Sequence, residues 1–196
     1  MVQAPKRTVK PIQWSIQDYH RMIEAGILTN RQVELLNGEI IEMPPEGPIH
    51  SYFGRKFRQF LEKLLGDQVE VLQGQPVTLS DSEPEPDIAI VQPLAEEYLR
   101  HHPYAENIYW VIEVSNTSLG KDRNEKRKAY ASAGIREYWL INLQQIQLEV
   151  YRHPQDGDYQ NCQVWTAETI QPLAFPEVSI PVKQLLSVAT RPIDQV

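Results

Sequence analysis

An α+β domain built on a mixed central sheet is what this 196-residue sequence predicts, and three observations predict it. Helix-like and strand-like segments do not alternate strictly but run helix, strands, strand, strand, helix, strand. Asn37-Gly38 sits between two alternating runs, the pattern of a tight β-hairpin. The helical stretch between the runs at 108–115 and 137–142 has the length of a crossover, so those two strands are expected to be parallel neighbours.

Taken in order, residues 1–13 read as a loose arm, 14–188 as one domain and 189–196 as a polar tail. Residues 15–26 form a short helix, with Ser15 as N-cap and Gly26 as stop. Val33 to Met43 is the hairpin, closed by Pro44-Pro45. From His50 to Leu65, Phe53, Phe57, Phe60, Leu61, Leu64 and Leu65 recur at helical spacing, so this helix packs on the core, and Gly66 caps it. Strands are expected at 69–72 and 76–79. A polar loop, 80–85, then leads to a strand at Pro86-Asp87-Ile88-Ala89-Ile90-Val91. Residues 93–106 read as polar helix or loop, 108–115 as a strand, 121–133 as a helix ended by Gly134, and 137–142 as a strand. A second hairpin turns at Pro154-Gln155-Asp156-Gly157, and 172–186 holds a strand and a helical turn.

The apolar share of 41% and charged share of 23% fit a globular domain that buries a real core. Cys162 stands alone, which excludes an intrachain disulfide and a cysteine-based zinc cluster. No apolar run approaches the ~20 residues needed to span a bilayer, and residues 1–10 lack the apolar core of a signal peptide. A cytoplasmic protein with no membrane partner is expected. The net charge of −7 argues against a chain coated in nucleic acid, yet local patches remain: Lys121 to Lys128, and Arg55, Lys56 and Arg58.

The chemistry centres on two strand-borne acids. Asp87 and Glu113 each sit in runs rich in β-branched and aromatic residues, where a carboxylate loses hydration and needs a cation, a donor or a metal ion. Two carboxylates at adjoining strand ends suit Mg²⁺, or Mn²⁺, which takes a few carboxylates plus water and phosphate oxygens. Asp122, Lys126 and Tyr130 recur at i, i+4 and i+8 on one helix face. That spacing makes Lys126 the candidate cation near a scissile phosphate, with Asp122 to orient it. The plain alternatives are a turn-borne Asp87, an edge-strand Glu113 and a solvated Asp122–Lys126 pair. Glu39, after the Asn-Gly turn, and His50, opening a helix, form a second tier. Position 115 holds Ser, so no lysine lies in the Glu113 strand. No phosphate-binding glycine loop, nucleophile elbow or paired-His motif is present.

With Glu34-Leu35-Leu36-Asn37-Gly38-Glu39-Ile40, His50, Pro86-Asp87, Glu113-Val114-Ser115 and Asp122…Lys126…Tyr130 through Leu140, the sequence resembles the Uma-type restriction endonuclease family over about residues 15–186. The resemblance implies the PD-(D/E)XK nuclease superfamily: a restriction-endonuclease-like fold, metal-dependent cleavage of nucleic acid, and DNA more than RNA as substrate. By position it implies Asp87 and Glu113 as metal ligands. It also implies that the lysine absent at Ser115 is supplied by the next helix as Lys126. A different expectation, a nuclease-fold module that binds nucleic acid or protein without catalysis, draws on Ser115 and the overall acidity. A homodimer would suit a duplex with two strands to cut.

Overall fold

The computed structural model describes residues 11–186. Most of the arm expected at 1–13, and the whole tail expected at 189–196, lie outside the described residues. Ser15 caps α1 (Ile16–Glu24) as expected: its hydroxyl accepts from the Asp18 amide at 3.1 Å, and the Asp18 carboxylate accepts from the Ser15 amide at 3.3 Å. The hairpin β1 (Val33–Leu36) and β2 (Glu39–Glu42) turns on Asn37 and Gly38, at φ 50° and 75°. Both angles are positive, as a two-residue turn that follows the strand twist demands.

The long helix α2 (Pro48–Leu65) is followed by β3 (Glu70–Gln73), β4 (Ile88–Val91) and β5 (Ile108–Ser115). A composite helix comes next: α3 (Leu119–Lys121), a π-turn (Asp122–Lys126) and α4 (Arg127–Ser132). It leads into β6 (Glu137–Asn142) and the second hairpin, β7 (Gln147–Gln155) and β8 (Asp158–Trp165), whose turn is Asp156-Gly157. The short strands β9 (Thr169–Ile170) and β10 (Ile180–Pro181) pair with each other before α5 (Val182–Leu186).

Six strands form the main sheet in the order β3-β4-β5-β6-β7-β8. Only β5 and β6 run parallel, as the crossover length predicts; the other pairings are antiparallel. Pleating sends alternate residues of each strand to opposite faces. On one face Ile88, Ile90, Trp110 and Ile112 meet Phe53, Phe57, Leu61 and Leu65 of α2. On the other, Val111, Tyr138 and Leu140 meet Tyr130 and Ala131 of α4. Each such large side chain stabilises the fold by about 1.5–3 kcal/mol. Among the described residues no helix is long and apolar enough to cross a membrane.

Two expectations need correction. Residues 76–79 are not a strand. Thr78 makes one isolated bridge to Tyr104, while Val77 and Leu79 donate to Pro84 and Ser82 carbonyls in a tight loop. Pro76 has no N–H for a ladder, and the apolarity of Val77 reflects burial in the second core instead. The helix expected at 121–133 starts at Leu119 and contains the π-turn, which no side-chain periodicity announces.

Candidate active site

The pairing of Ile88 with Ile112, continued by one residue, sets Asp87 across from Glu113 where β4 begins. The two acids are knitted together through their backbones. Asp87 Oδ2 accepts from the Val114 amide at 2.6 Å, and the Asp87 amide donates to Glu113 Oε2 at 3.4 Å. His50, in the first turn of α2, reaches the same Asp87 Oδ2 with Nε2 at 2.9 Å. Its Nδ1 lies 3.6 Å from Glu46. The Asp87 partner raises the His50 pKa to about 9, against the opposing effect of burial.

Glu113 is 3% exposed. Its Oε1 accepts from Lys126 Nζ at 2.9 Å and from the Tyr130 hydroxyl at 2.6 Å. Burial pushes its pKa up to about 8; the Lys126 charge opposes this, and the neighbouring Asp87 and Asp122 add to it. Lys126 is buried as well, and its ammonium also donates to the Glu85 carbonyl at 3.2 Å and lies 3.5 Å from Glu34. Burial alone would lower the Lys126 pKa, but Glu113 and Glu34 outweigh it and hold the ammonium charged.

The π-turn explains how Asp122, Lys126 and Tyr130 all point inward. Four residues of regular α-helix overshoot a full turn by about 40°, so eight would carry Tyr130 well away from Asp122. The wider turn over Asp122–Lys126 takes up that drift, and all three side chains are buried. Asp122 does not contact Lys126 as the spacing suggests. Its carboxylate is held instead by the hydroxyls of Ser115 and of Ser118, the latter at 2.6 Å. Ser115 thus anchors the front of the π-turn to the end of β5, while Glu113 anchors its back through Lys126.

Glu39 is the sequence candidate the fold leaves outside. It is exposed at the start of β2, and no hydrogen bond or ion pair of its side chain reaches the cluster. Its neighbour on the hairpin, Glu34, takes the inner position. Fully buried, Glu34 accepts from Lys121 Nζ at 2.6 Å and from the Glu85 amide at 3.2 Å. Burial works against its charge, yet Lys126 and Lys121 lower its pKa. In the sequence it is marked only as the first residue of the run Glu34-Leu35-Leu36-Asn37-Gly38-Glu39-Ile40, with no role attached; the structure shows it inside a strand with no exposed position. Glu46 and Glu85 carry no mark in the sequence, and Lys121 is read there only as part of a basic patch, because its partner Glu34 lies 87 positions away.

Lys121 to Lys128 is not the free basic patch the sequence suggests. Lys121 pairs with Glu34, Arg123 with Glu149, Lys126 with Glu113, and Arg127 with Asp158 at 2.8 Å. Only Lys128 has no such acid partner among the described residues.

The cluster as a whole holds more acid than base. Glu34, Glu85, Asp87, Glu113 and Asp122 converge on Lys121 and Lys126, and Glu85 is pushed upward in pKa by burial and by the Glu34 charge. Ligand atoms from Glu46, His50 and Asp87 lie within 4.8 Å of one another. Hard carboxylate oxygens with one imidazole are a donor set that fits a divalent cation such as Mn²⁺ or Mg²⁺.

A six-stranded mixed sheet flanked by helices, with Asp87 just before β4 facing Glu113 on β5 and Lys126 of the following helix resting on Glu113, is of the restriction-endonuclease-like class of fold. The family model of Uma2, described as "Putative restriction endonuclease", matches residues 16–183, and the chain belongs to that family. Among solved structures it is similar to the crystal structure of "a putative nuclease belonging to DUF820" from Anabaena variabilis ATCC 29413. The identity is 21% over 91% of this chain and 99% of that one, with a TM-score of 0.70, a likeness of fold. No curated protein matches.

Proposed function

We propose that this chain is a divalent-metal-dependent endonuclease that hydrolyses phosphodiester bonds of DNA rather than RNA. The observation that carries the reading is the placement of Lys126: its ammonium rests on Glu113 at 2.9 Å, and Asp87 is tied to the same carboxylate through its own amide. Asp87 and Glu113 would hold Mg²⁺ or Mn²⁺, with His50 and Glu46 beside Asp87 as additional donors. A cation held there supplies an activated water and polarises the phosphoryl group. Lys126, kept charged by two carboxylates, would offset charge that develops on the scissile phosphate. Tyr130 fixes the rotamer of Glu113, and Ser115 and Ser118 hold Asp122 so that the π-turn presents Lys126 to Glu113. A homodimer would bring two such sites to the two strands of a duplex.

A nicking assay on plasmid DNA and on RNA, with Mg²⁺ or Mn²⁺, tests this. Wild-type cleavage that disappears in EDTA and in Asp87→Ala supports it. A folded wild type that neither binds Mn²⁺ nor nicks, indistinguishable from Asp87→Ala, sinks it. The competing reading, a nuclease-fold module without catalysis, draws on the 4% exposure of Lys126, which suits a purely structural ion pair. It predicts that latter outcome. Sedimentation of the protein with and without duplex tests the homodimer.

A further inference from the structure

We propose that the solvent face of α2 carries a backbone track for nucleic acid: a stripe of Tyr52, Arg55, Lys56, Gln59 and Lys63 that contacts successive phosphates. The proposal rests on the reading of this chain as acting on nucleic acid and names the surface that does the binding.

At about 100° per residue these five positions fall within a single arc of about 100° on α2. All five are exposed, whereas Phe53, Phe57, Leu61 and Leu65 occupy the opposite, buried face. The helix holds four basic residues, Arg55, Lys56, Arg58 and Lys63, against the single acid Glu62, inside a chain of net charge −7. That acid borders the stripe, about 20° beyond Arg55, and is taken by Arg58 at 2.8 Å. Arg55, Lys56 and Lys63 have no acidic partner among the described residues. The Lys56 ammonium sits 5.9 Å over the Tyr52 ring, which leaves its charge intact and puts an aromatic surface, 38% exposed, at the head of the stripe. The contrast with the helix from Leu119 to Ser132 settles which basic segment is available. There Glu34, Glu149, Glu113 and Asp158 take every cation but Lys128; on α2 three of the four, Arg55, Lys56 and Lys63, are free to release counterions from a polyanion.

Position supports the same occupant. The stripe begins in the same turn as His50, whose imidazole touches Asp87 from the opposite face of the helix, and extends about 16 Å along the helix to Lys63. A strand lying on this face therefore has one end at the α2 terminus that borders the candidate active site.

The test is fluorescence anisotropy of the full chain in EDTA, with a labelled duplex of roughly 30 base pairs, over a series of salt concentrations. The comparison is with the triple variant Arg55→Gln, Lys56→Gln, Lys63→Gln, in which glutamine keeps helix propensity. We expect the salt slope of log K to shrink by about 0.9 per lost contact, about 2.7 in all, and affinity to fall about tenfold or more. Arg58→Gln and Lys128→Gln should each leave the slope unchanged. A triple variant with the wild-type slope overturns the proposal, as does a wild type with no affinity for duplex at low salt. Stripe-dependent binding to phosphatidylserine vesicles in place of nucleic acid overturns it too. Cleavage is read separately with Mn²⁺. Stripe-dependent binding without cleavage would leave this inference standing and remove the nuclease reading; cleavage with stripe-independent binding would do the reverse.

Discussion

Glu113 and Glu149 are two buried acids in the same sheet, served by cations three residues apart on the same π-turn, and they behave in opposite ways. Glu149 on β7 receives Arg123 in a two-pronged pair, with further donations from Asn142 at 3.3 Å, Gln147 at 3.0 Å and Tyr151 at 2.9 Å. Burial would raise its pKa, but these donors outweigh burial and bring it down to about 2. Glu113 receives Lys126 and Tyr130 and is still pushed up to about 8. The difference lies in the neighbours. Glu149 has donors and a guanidinium to itself, whereas Glu113 shares one ammonium with Glu34 and faces Asp87 and Asp122. A carboxylate that is fully satisfied holds the fold together. One left in acid surplus is suited to a further cation.

The contrast can be broken most sharply by substitution at the surplus. Asp87→Ala and Glu113→Gln should each lower metal-dependent cleavage by about 10²–10⁴-fold, measured as plasmid nicking in Mn²⁺. Glu113→Gln should do so without lowering Tm, because it removes a charge the interior disfavours. If Glu113→Gln lowers Tm and leaves nicking intact, Glu113 is structural and the comparison fails.

Glu149→Gln should show the mirror image. It leaves Arg123 without its anion and should cost about 2 kcal/mol, or a Tm lower by about 4–8 °C, with nicking unchanged at temperatures well below melting.

Acidity separates the two sites by sign. The folded pKa of Glu149 lies below its ordinary value of 4.5, so its contribution is complete above that value and is lost as pH falls from about 4.5 towards 2. The folded pKa of Glu113 lies above its ordinary value, so its contribution is present below about 4.5 and is lost as pH rises towards 8. In the absence of divalent cation, the Tm advantage of Glu113→Gln over wild type should therefore grow between pH 5 and 8. The Tm deficit of Glu149→Gln should shrink below pH 4. Thermal melts across pH check both, and parallel curves for the two variants would contradict the assignment.

The smallest expected effects come from removing one hydroxyl at each acid. Tyr151→Phe should cost about 1 kcal/mol of stability and nothing in rate. Tyr130→Phe should lower the rate about tenfold, with a shift in its pH profile that a merely structural loss would not produce.

Much of this arrangement was readable from residue order. The β-branched and aromatic run at 108–115 places Glu113 on a strand, and the i, i+4, i+8 spacing singles out Asp122, Lys126 and Tyr130; Asp87, expected inside a strand from Pro86, lies instead in the bend just before β4 begins at Ile88. The pairings between distant segments escaped. Glu34 meets Lys121 across 87 positions, and Arg123 meets Glu149 across 26. With those partners invisible, the most basic stretch of the chain reads as a surface for phosphate, although its charges are spent inside. The same blindness made Asp122 a partner for Lys126, when two serine hydroxyls hold it.

The widened turn at Asp122–Lys126 also lets one helix answer to two separate anchors. Its extra residue sets the phase between the two halves of the helix; Asn124 within it is exposed, and its side-chain amide donates to the Gly120 carbonyl at 2.8 Å. Wound as regular α-helix, the same stretch would carry Tyr130 about 80° around the axis from Asp122. Either Asp122 would keep its serines or Tyr130 its place in the core, but not both with Lys126 on Glu113. The insertion is thus a timing element: it keeps two helical segments, each in step with its own anchor, from drifting out of step with one another.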